Sequence, residues 1–426
     1  MIQRVCILTD NIIAGKFIGE YALAAIGSVF PITVVFTSIA LGLSNGCSVI
    51  ISQLCGKKDY SSMKTAVSTT VLSSLFVSVA LALFGLIFSN SFVMLVNVPT
   101  EVFDSALIYL QLYMISFVFK YLYSICTGIF IAIGDSKLAF FCLMSSSILN
   151  IVFNIVFVCY LNLGIPGIAL AALIVQIIMA FITIAVLIKK MKGFQEEEQY
   201  KRFSSATLKS IGKLCIPSIL KRGIVSLGDV YMLRIINSYG VMATTGYTAA
   251  LQLNMFFFTC LLALGNGLSS YTAQNIGAKR IERVKKGLKS GIVMSVCIAL
   301  LFFTLFIGFP KKFLYFFLNE ESIDTVSIGV TFLRLTTPFY VVVCIKQLID
   351  GVLRGSGAML YPLGITIVDL LQRVILVNIL PSYYGLRGVF ITFPTGWTLS
   401  AVLYCIFFYK GVWKQRNVLS AESTKI

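Results

Sequence analysis

The sequence predicts an all-α membrane protein with twelve transmembrane helices, arranged as two pseudo-symmetric six-helix bundles. The chain has 426 residues, of which only 12% are charged, about half the share found in soluble domains. Its mean hydropathy is +0.93. Apolar runs of about 20 residues, the length that crosses a bilayer, recur along the whole chain. A stretch of the first half also returns in the second half, which indicates two lobes.

Twelve apolar runs qualify as membrane spans, six in each half. They lie near 1-17, 22-52, 66-88, 106-133, 138-160, 165-188, 208-236, 243-273, 287-309, 327-353, 359-380 and 388-409. The first run is short, because a helix of that length extends roughly 26 Å while the hydrocarbon core is roughly 30 Å thick. We therefore expect a shortened first helix, produced by truncation or by a late start.

The repeat lies in two stretches of the same length. Leu41 to Lys58 reads LGLSNGCSVIISQLCGKK, and Leu262 to Lys279 reads LALGNGLSSYTAQNIGAK. At a constant offset of 221 residues the two stretches share eight residues, where chance gives about one. Internal duplication with a binding site between the repeats is typical of secondary transporters.

The basic residues indicate the orientation. The chain carries 34 Lys and Arg against 17 Asp and Glu, a net charge of +17, and the bases concentrate in every second loop. Cytoplasmic loops hold such excess, so both termini are predicted to be cytoplasmic and both lobes to have the same orientation. The predicted divisions are an N-terminal lobe (1-188), a cytoplasmic linker (189-206), a C-terminal lobe (207-410) and a cytoplasmic tail (411-426).

Composition also limits the chemistry. The chain has no His and eleven scattered Cys without a C-x-x-C pair, which argues against a metal site and against an enzyme. Glycines at 128, 134, 351, 355 and 357 predict helix packing and helix ends, since no phosphate-loop motif accompanies them. No cofactor is expected. The expected partners are small-molecule substrates and the lipid bilayer, with no nucleic acid, and the chain is expected to be a monomer.

Asp10 is the first candidate functional residue. It interrupts an apolar run in TDNIIAG, where an ionised carboxylate costs about 2.5 to 3.5 kcal/mol. Such a carboxylate could bind and release a proton or coordinate a cation, although it could also be hydrated near a helix end. Asn150 and Asn154 lie four residues apart, on one face of the fifth span. Their carbonyl oxygens suit a hard cation or a protonated carboxyl, and interhelical packing explains them equally well.

The second half carries more charge inside its spans. These residues are Asp229, Arg234, Arg334, Lys346, Asp350, Asp369 and Arg373. Lys346 with Asp350, and Asp369 with Arg373, have the spacing of ion pairs within one helix. Alternatively, Asp350 or Asp369 faces a central cavity and attracts cationic substrates. We predict a substrate cavity that includes Asp350, Asp369 and Gln252.

Six segments together resemble a known family. They are TDNIIAGKFIGEYALAAIGSVFPI (9-32), GLSNGCSVIISQLCGKKD (42-59), TGIFIAIGDSK (127-137), LNIVFNIVFV (149-158), LGIPGIALAALIVQ (163-176) and LRGSG (353-357). In this order and spacing they resemble the multidrug and toxic compound extrusion (MATE) family of cation-coupled exporters. The resemblance implies two six-helix bundles around a central cavity, in the plasma (inner) membrane of a prokaryote. It also implies alternating access, with export of organic, often cationic, drugs or toxic metabolites in exchange for Na+ or H+.

The resemblance also assigns roles to residues. The family's ion-binding carboxylate falls on Asp10, its helix-five asparagine on Asn150 and a further variable ligand position on Asn154. A threonine that some members carry on helix six is Ala172 here, which weakens a complete Na+ shell, and no metal beyond Na+ is implied. Asp350 corresponds to an acidic residue of helix ten in some members. The alternative is a lipid-linked saccharide flippase of the same superfamily, whose basic cavity would be lined by Lys120, Arg234 and Lys346.

Overall fold

The computed structural model describes residues 18, 20–96, 98, 102–194, 199–318 and 323–414. This part of the chain is helical, and it contains no β-strand. The long helices are α1 (Glu20–Lys57), α2 (Tyr60–Ile87), α3 (Phe103–Ala132), α4 (Ser136–Asn154), α5 (Gly164–Lys192), α6 (Ser205–Asn237), α7 (Val241–Gly277), α8 (Ile281–Gly308), α9 (Ile323–Thr336), α10 (Tyr340–Gly355), α11 (Leu360–Ile379) and α12 (Leu386–Tyr409).

Shorter elements complete the path of the chain. A π-helical turn, Ile155–Tyr160, continues α4, and a 3-10 turn, Thr337–Phe339, joins α9 to α10. That turn contains Pro338, which explains why the predicted tenth span is divided into two helices. Among the described residues, short helices also form at Ser89–Leu95, Pro310–Leu314 and Pro381–Tyr384.

Ten helical segments of the described residues are long and apolar enough to cross a membrane. They correspond to ten of the twelve predicted spans. The predicted seventh span forms α6, one continuous helix, but α6 is not among the ten because it carries six charged residues. The predicted first span, near 1-17, lies outside the described residues.

Contacts divide the chain into two compact units, Met1–Ile219 and Leu220–Ile426. In the first unit, α3 is central and packs against α1, α2 and α5. In the second unit, α7 packs against α8, α9 and α10, while α12 packs against α10 and α11. The division lies within α6 and not in the predicted linker, and the predicted domain bounds stay a prediction.

Two glycines of α1 explain why the beginning of α6 belongs to the first unit. A Cβ at Gly42 would lie 2.9 Å from the Cα of Ile219, and a Cβ at Gly46 would lie 2.8 Å from the Cα of Cys215. The two glycines are four residues apart and share a face of α1, so the backbones of the two helices meet without intervening side chains. Cys47 also reaches α6, with its Sγ 3.9 Å from that of Cys215.

Glycines of α10 play the same part in the second unit. A Cβ at Gly351 would lie 2.6 Å from the carbonyl oxygen of Gly265, and one at Gly355 would lie 2.9 Å from Cβ of Thr272. Gly134 and Gly357 have positive φ angles of 90° and 84° at helix ends. These glycines therefore serve packing and helix termination, which confirms the prediction for them.

Gly46→Ala is expected to destabilise the protein. The added methyl group overlaps the backbone of Cys215, so α1 and α6 must separate, at a cost of about 1 to 3 kcal/mol. The measurement is the midpoint of thermal unfolding of the purified protein in detergent. Gly212→Ala is the matched control, because nothing lies within 4 Å of a Cβ at Gly212 in α6. An equal midpoint for both variants would contradict the close approach.

A polar contact joins two ends of helices in the first unit. Asp135 precedes α4 and accepts a hydrogen bond from the backbone N–H of Leu138 at 3.1 Å, and its other carboxylate oxygen lies 2.6 Å from Lys190 Nζ at the end of α5. The hydrogen bond from Lys190, followed by that from Leu138, holds the pKa of the Asp135 carboxyl below its usual value. The ends of α3 and α5 thus lie at one end of the unit, as the alternation of basic loops predicts.

Candidate functional site

Asn150 and Asn154 form a hydrogen-bonded pair at the end of α4. Nδ2 of Asn154 donates to Oδ1 of Asn150 at 3.2 Å. The Asn154 side chain is fully buried, and Asn150 is half-buried. The structure thus confirms that the two amides share one helix face.

The chain changes its helical geometry directly after Asn154. The π-helical turn Ile155–Tyr160 begins there, and positive φ angles follow it at Asn162 (52°) and Gly164 (60°). A π turn widens the helix and shifts its hydrogen bonds by one residue, and such turns occur frequently at functional sites. The asparagine pair therefore lies where α4 departs from regular geometry.

The remaining residues of the predicted cation site can be located only in part. Asp10 lies outside the described residues. Ala172 is half-buried on α5, a helix that packs against α4, and its methyl group offers no oxygen to a cation. The site of Asp10, Asn150 and Asn154 therefore stays a prediction.

The first unit also holds a lysine in the middle of a membrane span. Lys120 of α3 is half-buried, and its Nζ donates to Oγ1 of Thr37 and to the hydroxyl of Tyr113, each at 3.3 Å. Its ammonium lies 5.1 Å from the centroid of the Tyr113 ring. Within the described residues, no carboxylate lies within 4.0 Å of it. An intramembrane base of this kind is costly and indicates a function.

Asp350 organises the first part of a polar cluster in the second unit. Its side chain is buried on α10, with the residue 4% exposed. Oδ1 forms an ion pair with Lys221 of α6 and accepts a hydrogen bond from the hydroxyl of Tyr404 at 2.8 Å. Asp350 thus pairs with a residue of another helix, and not with Lys346, which the spacing within α10 offered.

Asp369 organises the second part of the cluster. Its Oδ2 lies 2.9 Å from Nη2 of Arg373 and 3.9 Å from Nζ of Lys346. The predicted pair with Arg373 is therefore confirmed. Gly396 of α12 makes the pairing possible, because a Cβ there would lie 3.2 Å from Nε of Arg373 and would also overlap Oδ1 of Asp369.

We call this group the C-terminal charge cluster. Its members are Lys221, Arg222, Lys346, Arg354 and Arg373 together with Asp350, Asp369 and Asp229. Five bases stand against three acids. The cluster therefore has a formal charge of +2. Bases from several helices neutralise the buried carboxylates of Asp350 and Asp369, whereas Asp229 is exposed on α6.

The three residues predicted for a substrate cavity have unlike surroundings. Asp350 and Asp369 are buried and ion-paired, whereas Gln252 is exposed on α7. The sequence raised the expectation that Asp350 or Asp369 attracts cationic substrates. That expectation did not include the ion pairs that both carboxylates form with bases of the chain. Sequence reasoning missed Lys221 and Tyr404 as partners of Asp350, because no local spacing connects α6, α10 and α12. The three residues stay a prediction for the cavity.

Solved structures of membrane transporters share the fold of this chain. A multidrug resistance MATE family transporter of the MOP superfamily, in an outward-facing conformation, aligns with a TM-score of 0.90 at 22% identity, covering 97% of this chain and 93% of that one. A MOP superfamily transporter from Pyrococcus furiosus gives the same TM-score of 0.90 at 22% identity, again over 97% and 93% of the two chains. The fold is thus the twelve-helix, two-lobe fold of these membrane transporters.

The sequence comparisons identify the family. The MatE family profile matches residues 1–156 and 217–380. The probable multidrug resistance protein YoeA of Bacillus subtilis is 27% identical over 98% of this chain and 92% of its own length. The multidrug export protein MepA of Staphylococcus saprophyticus is 23% identical over 89% of this chain and 83% of its own length. The chain belongs to the MatE family, which confirms the resemblance drawn from its motifs.

Proposed function

We propose that this protein is a secondary active transporter that exports drugs or toxic metabolites in exchange for Na+ or H+. The observation that carries the proposal is the match to bacterial multidrug resistance and export proteins over most of both chains. The internal repeat supports it, because duplicated lobes allow a site to open to the two sides of the membrane in turn. The sequence also has no Walker motif, so an ion gradient is the expected source of energy.

The ion site of the proposal comprises Asp10, Asn150 and Asn154. Binding of H+ or Na+ neutralises the Asp10 carboxylate, and the asparagine amides supply oxygens or hydrogen bonds to the occupied form. The burial of Asn154 supports this role, since a buried amide strengthens a polar interaction more than an exposed one does. The adjacent π turn gives α4 an irregular segment that can change shape with occupancy.

The proposal extends to location and assembly. The protein is a multi-pass membrane transporter, and we place it in the plasma membrane of a prokaryote, as a monomer with both termini in the cytoplasm. Its bacterial relatives support the membrane assignment. The excess of Lys and Arg in alternate loops supports the orientation.

The proposal is tested by imposing Na+ and H+ gradients separately across proteoliposomes that contain the purified protein. We expect efflux of a fluorescent drug such as ethidium, or of a fluorescent anionic dye, to follow one of the two gradients and to stop when an ionophore collapses it. Liposomes without protein are the control. Efflux that follows neither gradient for any dye would contradict ion-coupled export.

A further inference from the structure

We propose that the C-terminal charge cluster binds an anionic group, so that the compounds this transporter carries include organic anions with a carboxylate, sulfonate or phosphate. This inference rests on the proposed function and replaces the expectation of cationic substrates drawn from the sequence. Its basis is the charge balance of the cluster, in which five bases stand against three acids and two of the acids, Asp350 and Asp369, are already ion-paired.

Two of the three carboxylates have little capacity left for a cationic ligand. Oδ1 of Asp350 already forms an ion pair with Lys221. Oδ2 of Asp369 is held by Arg373 at 2.9 Å, while its Oδ1 is buried without a hydrogen-bond partner and has essentially no accessible surface. The third carboxylate, that of Asp229, is exposed on α6, so the preference for an anion rests on the surplus of two positive charges in the cluster.

The bases retain both charge and access. Lys346 keeps 21% of its side chain accessible, and its nearest carboxylate, that of Asp369, lies at 3.9 Å, beyond hydrogen-bond distance. Lys221 is also accessible, to 27%. Arg222 is half-buried beside it, and no carboxylate of the described residues lies within 4.0 Å of it. These side chains offer charge-assisted hydrogen bonds to an anion.

Arg354 adds positive charge behind the accessible bases. It is 8% exposed, and its Nε and Nη2 are buried without a hydrogen-bond partner. Its charge acts on Asp350, which Lys221 already neutralises. Because the interior screens charge weakly, this surplus favours an anion at the accessible face of the cluster.

Aromatic side chains enclose one base of the cluster and leave another accessible. The guanidinium of Arg373 lies 5.7 Å from the centroid of the Phe393 ring, and Phe393 packs against Trp397 at 6.3 Å between ring centroids. Both rings are buried in the core of the second unit, each 5% exposed. Lys346 is therefore the base of this group that an anionic ligand can contact.

The test compares two ions of matched shape and opposite charge, tetraphenylborate and tetraphenylphosphonium. Binding of each to the purified full-length protein in neutral detergent is measured by equilibrium dialysis, with protein-free micelles as the blank. We expect tetraphenylborate to bind about tenfold more tightly, since sign complementarity then decides between two equal shapes. Equal or tighter binding of tetraphenylphosphonium would overturn the proposal.

Substitutions assign the effect to the cluster. Lys346→Gln is expected to weaken tetraphenylborate binding about tenfold, and Lys346→Arg to retain most of the affinity. Arg334→Gln is the matched control, because it removes one positive charge from an exposed position on α9 of the same unit. If Lys346→Gln and Arg334→Gln weaken binding equally, the cluster is not the site and the inference is wrong.

Two further features make the result specific. Addition of phosphatidylglycerol or phosphatidylcholine to the micelles distinguishes the sources of the anion. If phosphatidylglycerol displaces tetraphenylborate and phosphatidylcholine does not, the site binds an anionic lipid headgroup. If neither lipid displaces tetraphenylborate, the site binds a soluble anion. Binding is measured without an ion gradient, so failure of gradient-driven efflux and failure of the charge preference are separate results.

Discussion

Asp10→Asn is expected to abolish ion-driven export. Asparagine has the shape of aspartate but can neither release a proton nor carry the negative charge that attracts Na+, so the step that links ion binding to substrate movement is lost. The expected efflux from everted membrane vesicles, driven by the coupling gradient, equals that of vesicles without the transporter. This is the largest functional effect expected of any single substitution, because Asp10 is the carboxylate that the family resemblance assigns to the ion.

Asp104→Asn is the matched control for this experiment. Asp104 lies exposed in the first turn of α3, in the same half of the chain, and its neutralisation is expected to leave efflux unchanged. The amount of each variant in the membrane is compared by immunoblotting. Normal ion-driven efflux by Asp10→Asn would exclude this residue from coupling and would leave the asparagine pair of α4 with a packing role.

Asp350→Asn is expected to cause the largest loss of stability. The substitution keeps a hydrogen-bond acceptor for Tyr404 but removes the counter-charge of Lys221 and of Arg354. Leaving one partner of a buried ion pair uncompensated costs about 3 to 5 kcal/mol. The cost here is expected near the lower value, about 3 kcal/mol, because 27% of the Lys221 side chain is accessible. The measurement is the thermal unfolding midpoint in detergent.

A double substitution tests whether the loss of stability in Asp350→Asn comes from the unpaired charge of Lys221. Lys221→Met combined with Asp350→Asn removes both charges of the pair, and we expect it to recover part of the lost stability. Asp324→Asn, at an exposed position in the first turn of α9, is the control and should leave the midpoint unchanged. A double variant that is less stable than Asp350→Asn alone would show that Lys221 does not depend on Asp350.

The course of the helices could be predicted from hydropathy alone. The predicted second span, 22-52, lies within α1 (Glu20–Lys57), and the predicted twelfth span, 388-409, lies within α12 (Leu386–Tyr409). Helix ends follow the change from apolar to polar residues, which the sequence shows directly. The division of the chain within α6 was not predictable in this way, because it depends on the contacts of Gly42 and Gly46 with a helix far along the chain.

The candidate site was predictable where it depends on one helix. The spacing of Asn150 and Asn154 sufficed to place both amides on one face of α4. The π turn after them had no signal, since Ile155–Tyr160 contains neither glycine nor proline. The pairing of Asp350 with Lys221 also had none, because these residues are 129 positions apart. Helical periodicity predicts which residues are neighbours within one helix. The partner of a buried charge, by contrast, can come from another helix, which periodicity does not predict.

The charged character of α6 bears on how the protein is made. Its Lys221 emerges from the ribosome 129 residues before Asp350, an interval on the order of ten seconds at usual rates of synthesis. During that interval, lipid offers the ammonium no counter-ion, and insertion of this segment is unfavourable. We expect α6 to remain in the translocation channel until α10 arrives. In nascent chains that end before residue 340, α6 should therefore crosslink to the translocation channel, whereas in chains that include α12 it should no longer do so.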